Sequence, residues 1–177
     1  MHNITKIAGA LSLGVALVQS ASAATLISPN GTVALGVNPE GHLNTGDPYG
    51  YAINAGILGV TSIGLGDATS PGCQCEGWGV SASGVSGYAN VSVNGIVNLT
   101  VDSFVTDDTG APGGSFATSK TSLTSLPGLK VTQHYAISAS GQLFENKVTI
   151  ENTTGGDLTD VRYVRVMDWD VPPTEFS

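Results

Sequence analysis

Charged side chains are scarce in this chain. Asp, Glu, Lys and Arg make up 11% of its 177 residues, against about 25% in an average globular protein. The missing residues include strong helix formers, so the deficit argues against a helical fold. Basic residues are the rarer kind: six Lys and Arg face fourteen Asp and Glu, for a formal net charge of −8. Nucleic acids and anionic membrane surfaces both require a basic patch, so neither is an expected partner. Aromatic residues are only 6% of the chain. Beyond residue 23 no apolar run approaches the ~20 residues that a helical membrane span needs.

Glycine, by contrast, is abundant, at 24 residues, roughly double its usual share. Val, Thr, Ser and Asn are also plentiful, and 41% of the chain is hydrophobic, enough to supply a core. This is the composition of an exported all-β protein. Residues 1–23 fit that compartment. Lys6 supplies a positive start, Ile7 to Val18 form an apolar or small stretch, and Ala21-Ser22-Ala23 has a small-x-small cleavage pattern. Such a segment is read as a signal peptide, with cleavage after Ala23. Removing it takes one lysine and no acid from the −8 of the whole chain, leaving −9 on residues 24–177.

Residues 24–177 read as one antiparallel β-sandwich domain. The run 32–37 leads into Asn38-Pro39-Glu40-Gly41, whose proline and glycine suit a type I turn, with His42 to Thr45 pairing back. Asn94-Gly95 lies between two β-rich runs, the strongest short hairpin signal. Pro127-Gly128 reads as the next turn. After it, Leu129, Val131, Gln133, Tyr135 and Ile137 share one face by period-two alternation, and Phe144, Val148 and Ile150 share another. Long strands joined by short turns make a meander. The final run, 158–171, has two largely apolar faces, which predicts a central strand covered on both sides. The chain then stops at Pro-Pro-Thr-Glu-Phe-Ser with no closing strand, so the domain is expected to be truncated at its C-terminus.

Two blocks, 70–90 (SPGCQCEGWGVSASGVSGYAN) and 158–176 (LTDVRYVRVMDWDVPPTEF), with the opening 27–44, resemble a family of exported bacterial proteins. Many of its members end in a PEP-CTERM sorting signal. The resemblance spans essentially all of residues 24–177, and it implies export but no activity. The tail with Pro-Glu-Pro, apolar span and basic end is absent from this chain. The strand pattern is also similar to the supersandwich domains of carbohydrate-active proteins, a likeness of fold that carries no function.

Few residues qualify as a reaction centre, and no catalytic residue is assigned. Cys73 and Cys75 are separated by one residue in a glycine-rich loop. Zinc needs about four ligands, and only His42 and His134 remain to join the cysteines. Redox pairs are usually C-x-x-C opening a helix. An oxidising compartment favours a disulfide, or a pair able to form one, with idle thiols as the alternative. Asp168 and Asp170 share a face at roughly the 7 Å spacing of strand neighbours, which would suit Ca²⁺ or an inverting glycosidase pair. Structural pairing with Arg162 or Arg165 is the favoured reading, because buried charges need partners. Asp107-Asp108 lacks the order of a calcium loop. The tryptophans and Tyr49, Tyr51 and Tyr88 are read as packing residues before sugar platforms. No cofactor is expected. The sequence thus favours a structural or adhesive protein of the cell envelope or extracellular matrix, with envelope or exopolysaccharide components as partners. A carbohydrate-binding or carbohydrate-active domain is the competing reading.

Overall fold

The computed structural model describes residues 22–53, 57–70, 73–91, 95–108 and 116–171, and these form strands and no helix. The strands are β1 (Ala24–Ile27), β2 (Val33–Val37), β3 (Thr45–Gly46), β4 (Ile57–Leu58), β5 (Val60–Ser62), β6 (Gly66–Asp67), β7 (Glu76–Ala82) and β8 (Val85–Asn90). They continue with β9 (Ile96–Val97), β10 (Leu99–Thr106), β11 (Phe116–Leu123), β12 (Leu126–Ile137), β13 (Phe144–Asn152) and β14 (Arg162–Met167).

Every pairing among them is antiparallel. The longest strands form the meander β10-β11-β12-β13. One face of that meander packs against two other sheets, giving the all-β, sandwich-like architecture. The N-terminal sheet, β1-β2-β5-β6, contributes Ala24, Leu26, Leu35 and Val37 to a cluster with Ala117 and Tyr135 of the meander. The second sheet, β14-β7-β8-β9, contributes Trp78, Val80, Ala82 and Ala89 to a cluster with Leu123, Leu129 and Val131. Alternation along β12 supplies both clusters, since Leu129, Val131 and Tyr135 are all buried on its inner face. Close sheet approach depends on missing side chains: a Cβ on Gly87 would stand 2.5 Å from Leu123 and 2.7 Å from the Asn98 carbonyl.

Local turn chemistry appears where expected at residues 38–41. Gly41 N–H donates to Asn38 C=O at 2.8 Å, and Gly41 holds φ = 81°, a conformation that glycine adopts without a Cβ penalty. The β8–β9 hairpin is also present, with Asn90 N–H bonded to Gly95 C=O and Gly95 at φ = 65°; Asn94 lies outside the described residues. The run after Gly95 is two strands, not one. Asn98, at φ = 54°, breaks it, so that β9 and β10 enter different sheets.

Two other expectations are corrected. The β11–β12 hairpin turns at Thr124-Ser125, whose N–H groups donate to the main-chain and side-chain oxygens of Asn98. Pro127-Gly128 instead lies within β12, where the register jumps from Leu123↔Leu126 to Ser122↔Lys130. A bulge accommodates a proline, which cannot donate to the ladder, and Gly128 C=O is taken up by Thr153 N–H at 2.7 Å. Residues 158–171 do not form a central strand among the described residues. β14 is shorter and lies at the end of its sheet, with Val164 and Val166 54% and 59% exposed.

Candidate functional site

The three sheets converge on a buried polar cluster. Glu76, the first residue of β7, has no solvent exposure. A carboxylate so placed needs compensating charge and hydrogen bonds. Arg165 of β14 brings Nη2 to 2.6 Å from Glu76 Oε1, and Leu43 N–H donates to Oε2. Register explains the pair: Arg165 lies opposite Trp78, and Glu76 is the diagonal neighbour on the same face. Burial holds the Glu76 carboxyl above its ordinary range, against the opposing pull of Arg165 and of the Leu43 N–H.

Arg165 also donates from Nη1 to Gln133 Oε1 at 2.7 Å, and its guanidinium lies over the Tyr135 ring, 5.4 Å from the centroid. Gln133 Oε1 is surrounded by donors, with Tyr163 OH at 3.1 Å, Asn146 Nδ2 at 3.2 Å and the Tyr135 hydroxyl also at 3.2 Å. That ring of donors fixes the amide with its oxygen inward. Its Nε2 is left buried without a hydrogen-bond partner, against Gly41, where a Cβ would collide with it. Tyr135 OH donates to Gly41 C=O at 2.7 Å, and burial pushes that hydroxyl far above its usual range. The 38–41 turn, the meander and β14 are therefore locked together by polar contacts.

Beside this cluster is an apolar cleft of about 300 Å³, between the N-terminal sheet and the edges of β13 and β14. Leu35, Leu43, Val60, Phe144 and Met167 give it apolar walls, and Arg165 reaches it from the polar cluster. Trp169 stands at its margin, 51% exposed, with Gln142, Glu145 and Asn146 also lining it. The opposite face of the meander is quite different. By register, Thr118, His134 and Lys147 form one cross-strand row, Lys120, Thr132 and Thr149 a second, and Ser122, Lys130 and Glu151 a third.

The residues singled out from sequence are not brought together as expected. Arg165 pairs with Glu76 rather than with Asp168 or Asp170, and Arg162 pairs with Asp160 at 2.8 Å on the surface. The reason is the ladder, which offers Arg165 a carboxylate on the neighbouring strand. Asp168 continues the ladder through its N–H to Cys75 C=O, and Asp170 N–H donates to Ala68 C=O. Cys73 and Cys75 form a disulfide, with Cα atoms 5.2 Å apart. Asp168 Oδ2 lies 3.8 Å from Cys73 Sγ, completing a three-residue group of metal-ligand types, but bonded sulfurs are not thiolate ligands. Asp107 and Asp108 accept backbone N–H groups of Phe116 and Thr25. Trp78 is buried and donates Nε1–H to Glu40 C=O.

Sequence reasoning passed over Glu76, the central acid of the cluster. Its one signal was an isolated Glu opening an uncharged strand, in a chain with an Arg among apolar neighbours elsewhere. Gln133 was visible only as a polar interruption of an apolar face. No family model, curated protein or solved structure matches the chain, so the chemistry rests on this geometry alone.

Proposed function

We propose that the protein is exported to the bacterial cell envelope or extracellular matrix, as the PEP-CTERM-associated resemblance implies, and that it serves a structural or adhesive role there, without catalysis. The observation that carries this reading is the outer face of the meander. All three lysines of residues 24–177, Lys120, Lys130 and Lys147, stand on it in cross-strand rows with Thr118, Thr132, Thr149 and His134. A broad face of hydroxyl and charged groups, which also carries Glu145 and Glu151 and pairs Lys130 with Asp102, suits on a rigid sheet a hydrated polymer such as exopolysaccharide. The two most deeply buried acids are engaged internally, Glu76 by Arg165 and Asp67 by the Gly59, Thr61 and Thr69 donors, which supports a non-catalytic role. No helix among the described residues is long and apolar enough to cross a membrane.

Carbohydrate binding in the cleft is the second reading, favoured by Trp169 beside Gln142, Glu145 and Asn146. Co-sedimentation with isolated envelope polymer and exopolysaccharide separates the two. The adhesive reading expects capture that falls about tenfold in Lys120→Glu/Lys147→Glu and survives Trp169→Ala, whereas cleft binding expects the reverse and a preference for short glycans. Retention of unprocessed protein in the cytosol of the producing cell, with Met1 intact, would overturn the export on which both depend.

A further inference from the structure

Exposed strand edges invite pairing with other chains, and proteins blunt them with shortness, charge, bulges or cover. Among the described residues the other sheet-end strands show such devices. β3, β4, β6 and β9 have two residues each, β10 carries a bulge between Val101 and Ser103, and β1 is buried at all four positions. β13 exposes Glu145, Lys147 and Glu151. β14 differs. Its six residues pair with β7 without a register shift, contain no proline and, beside the one exposed charge of Arg162, expose Val164 and Val166. Asp168 N–H bonds to Cys75 C=O in the same register. Alternation therefore aims the main-chain groups of Arg162, Val164 and Val166 at β7, and those of Tyr163, Arg165 and Met167 at the open edge.

We propose that a second copy of this chain pairs there, β14 against β14, antiparallel about a two-fold axis at Arg165. The partner is identified by charge complementarity. In this register Arg162 faces the partner's Asp168, and Val164 faces the partner's Val166, each contact occurring twice by symmetry. On the inner face Tyr163 meets the partner's Met167. The two Arg165 residues meet at the axis, but each guanidinium is turned into its own protomer, where Glu76 neutralises it. Shifting the axis to Val164 would set Arg162 against the partner's Val166 and lose both charge pairs, which disfavours that register; Asp160 and the partner's Asp170, opposite by the same count in the proposed register, lie beyond the ends of β14, where Asp170 N–H is bonded to Ala68 C=O. The Arg162–Asp160 pair is exposed and costs little to rearrange. Edge pairing of this kind draws its affinity from main-chain hydrogen bonds and its specificity from alternate side chains. The inference does not depend on export or adhesion.

Sedimentation equilibrium over micromolar concentrations tests it. The expected result is a monomer–dimer equilibrium, weakened about tenfold or more by Arg162→Asp and restored by Arg162→Asp/Asp168→Arg. The register has its own test, since Val164 and the partner's Val166 form a non-hydrogen-bonded pair, with Cα atoms ~4.5 Å apart, within disulfide reach. An equimolar mixture of Val164→Cys and Val166→Cys proteins should give an oxidised dimer on a non-reducing gel, while each alone does not. These cysteine variants keep the charges, so they report even if Arg162→Asp misfolds. A monomer at every concentration overturns the proposal, as does a dimer indifferent to Arg162→Asp. Failure of the charge swap to restore association, or equal cross-linking of either cysteine protein alone, overturns the register.

Discussion

Asp67 and Glu76, the two most deeply buried carboxylates among the described residues, are accommodated by opposite means. Asp67, at the end of the N-terminal sheet, is satisfied by donors two to eight residues away. Gly59 N–H and Thr61 Oγ1–H reach Oδ2, and Thr69 N–H and Oγ1–H reach Oδ1, at 2.5–2.9 Å. No cation is among these partners. Glu76, at the junction of the sheets, depends on Arg165 from the far end of the chain and on Leu43 from the N-terminal region. The first arrangement stabilises one local hairpin, while the second joins β7, β14 and the segment after the 38–41 turn. A local nest is complete once its own strands form. A long-range pair contributes only when the whole fold has assembled.

The largest effect should come from breaking the long-range pair. Arg165→Met leaves Glu76 buried without its counter-charge, which costs about 3–5 kcal/mol. At roughly 2–4 °C per kcal/mol for a domain of this size, the midpoint of thermal unfolding should fall by on the order of 10 °C. Adding Glu76→Leu should return part of that loss, because an apolar replacement of a buried pair is often neutral or better. If the double variant is no more stable than Arg165→Met, the loss lies in the Gln133 and Tyr135 contacts instead.

Asp67→Asn should cost less, roughly 2–3 kcal/mol, since an amide keeps one acceptor oxygen but turns an NH₂ toward donors. Its signature is location. Hydrogen exchange should quicken in β5 and β6 and remain slow in β11 and β12; a uniform rise would show that the nest is not local.

Gly41→Ala sharpens the contrast from the turn side. It combines strain at φ = 81° with a collision at Gln133, and a cost of about 1–3 kcal/mol is expected in denaturant unfolding. An unchanged midpoint would mean that the turn moves freely against the cluster.

The smallest effects are in pH dependence, and their signs differ. Burial raises the Glu76 pKa above 4.5, the ordinary value for an exposed glutamate, so the folded state takes up the proton more readily than the unfolded chain. Its contribution is fully present below pH 4.5 and is lost as pH rises through the folded value. The parent should therefore lose stability relative to Glu76→Gln across that window. His42 behaves conversely. Burial, aided by the Arg165 charge, lowers its pKa below 6.5, against its bond to Leu43 C=O and the nearby Glu40. Its contribution is present above pH 6.5 and fades as pH falls. Stability measured against His42→Gln should show that decline, and a flat difference from pH 7 to pH 5 would refute it.

Much of the fold was legible because its rules are local. Alternation marked Leu129, Val131, Gln133 and Tyr135 as one face, and all four are buried together. The 38–41 turn was readable because its hydrogen bond joins residues three apart. The Pro127-Gly128 reading failed for a tertiary reason: Asn98 anchors Thr124 and Ser125, which shifts the turn and leaves Pro127-Gly128 to a bulge. The candidate site was scarcely legible, since Arg165 was recognised as needing a carboxylate while its partner was sought on its own strand.

The sequence by itself determined the all-β class, the lack of helical periodicity after residue 23, the inner face of the meander and the places where glycine permits a positive φ. These follow from composition, from the two-residue period of a strand and from single-residue backbone preferences. Only the tertiary structure decided that β9 and β10 part at Asn98, that β14 lies on an edge, and that Glu76 is the acid Arg165 needs. Strand order is a competition among many edges with similar patterns, and a buried charge is neutralised by whichever partner the winning register places beside it.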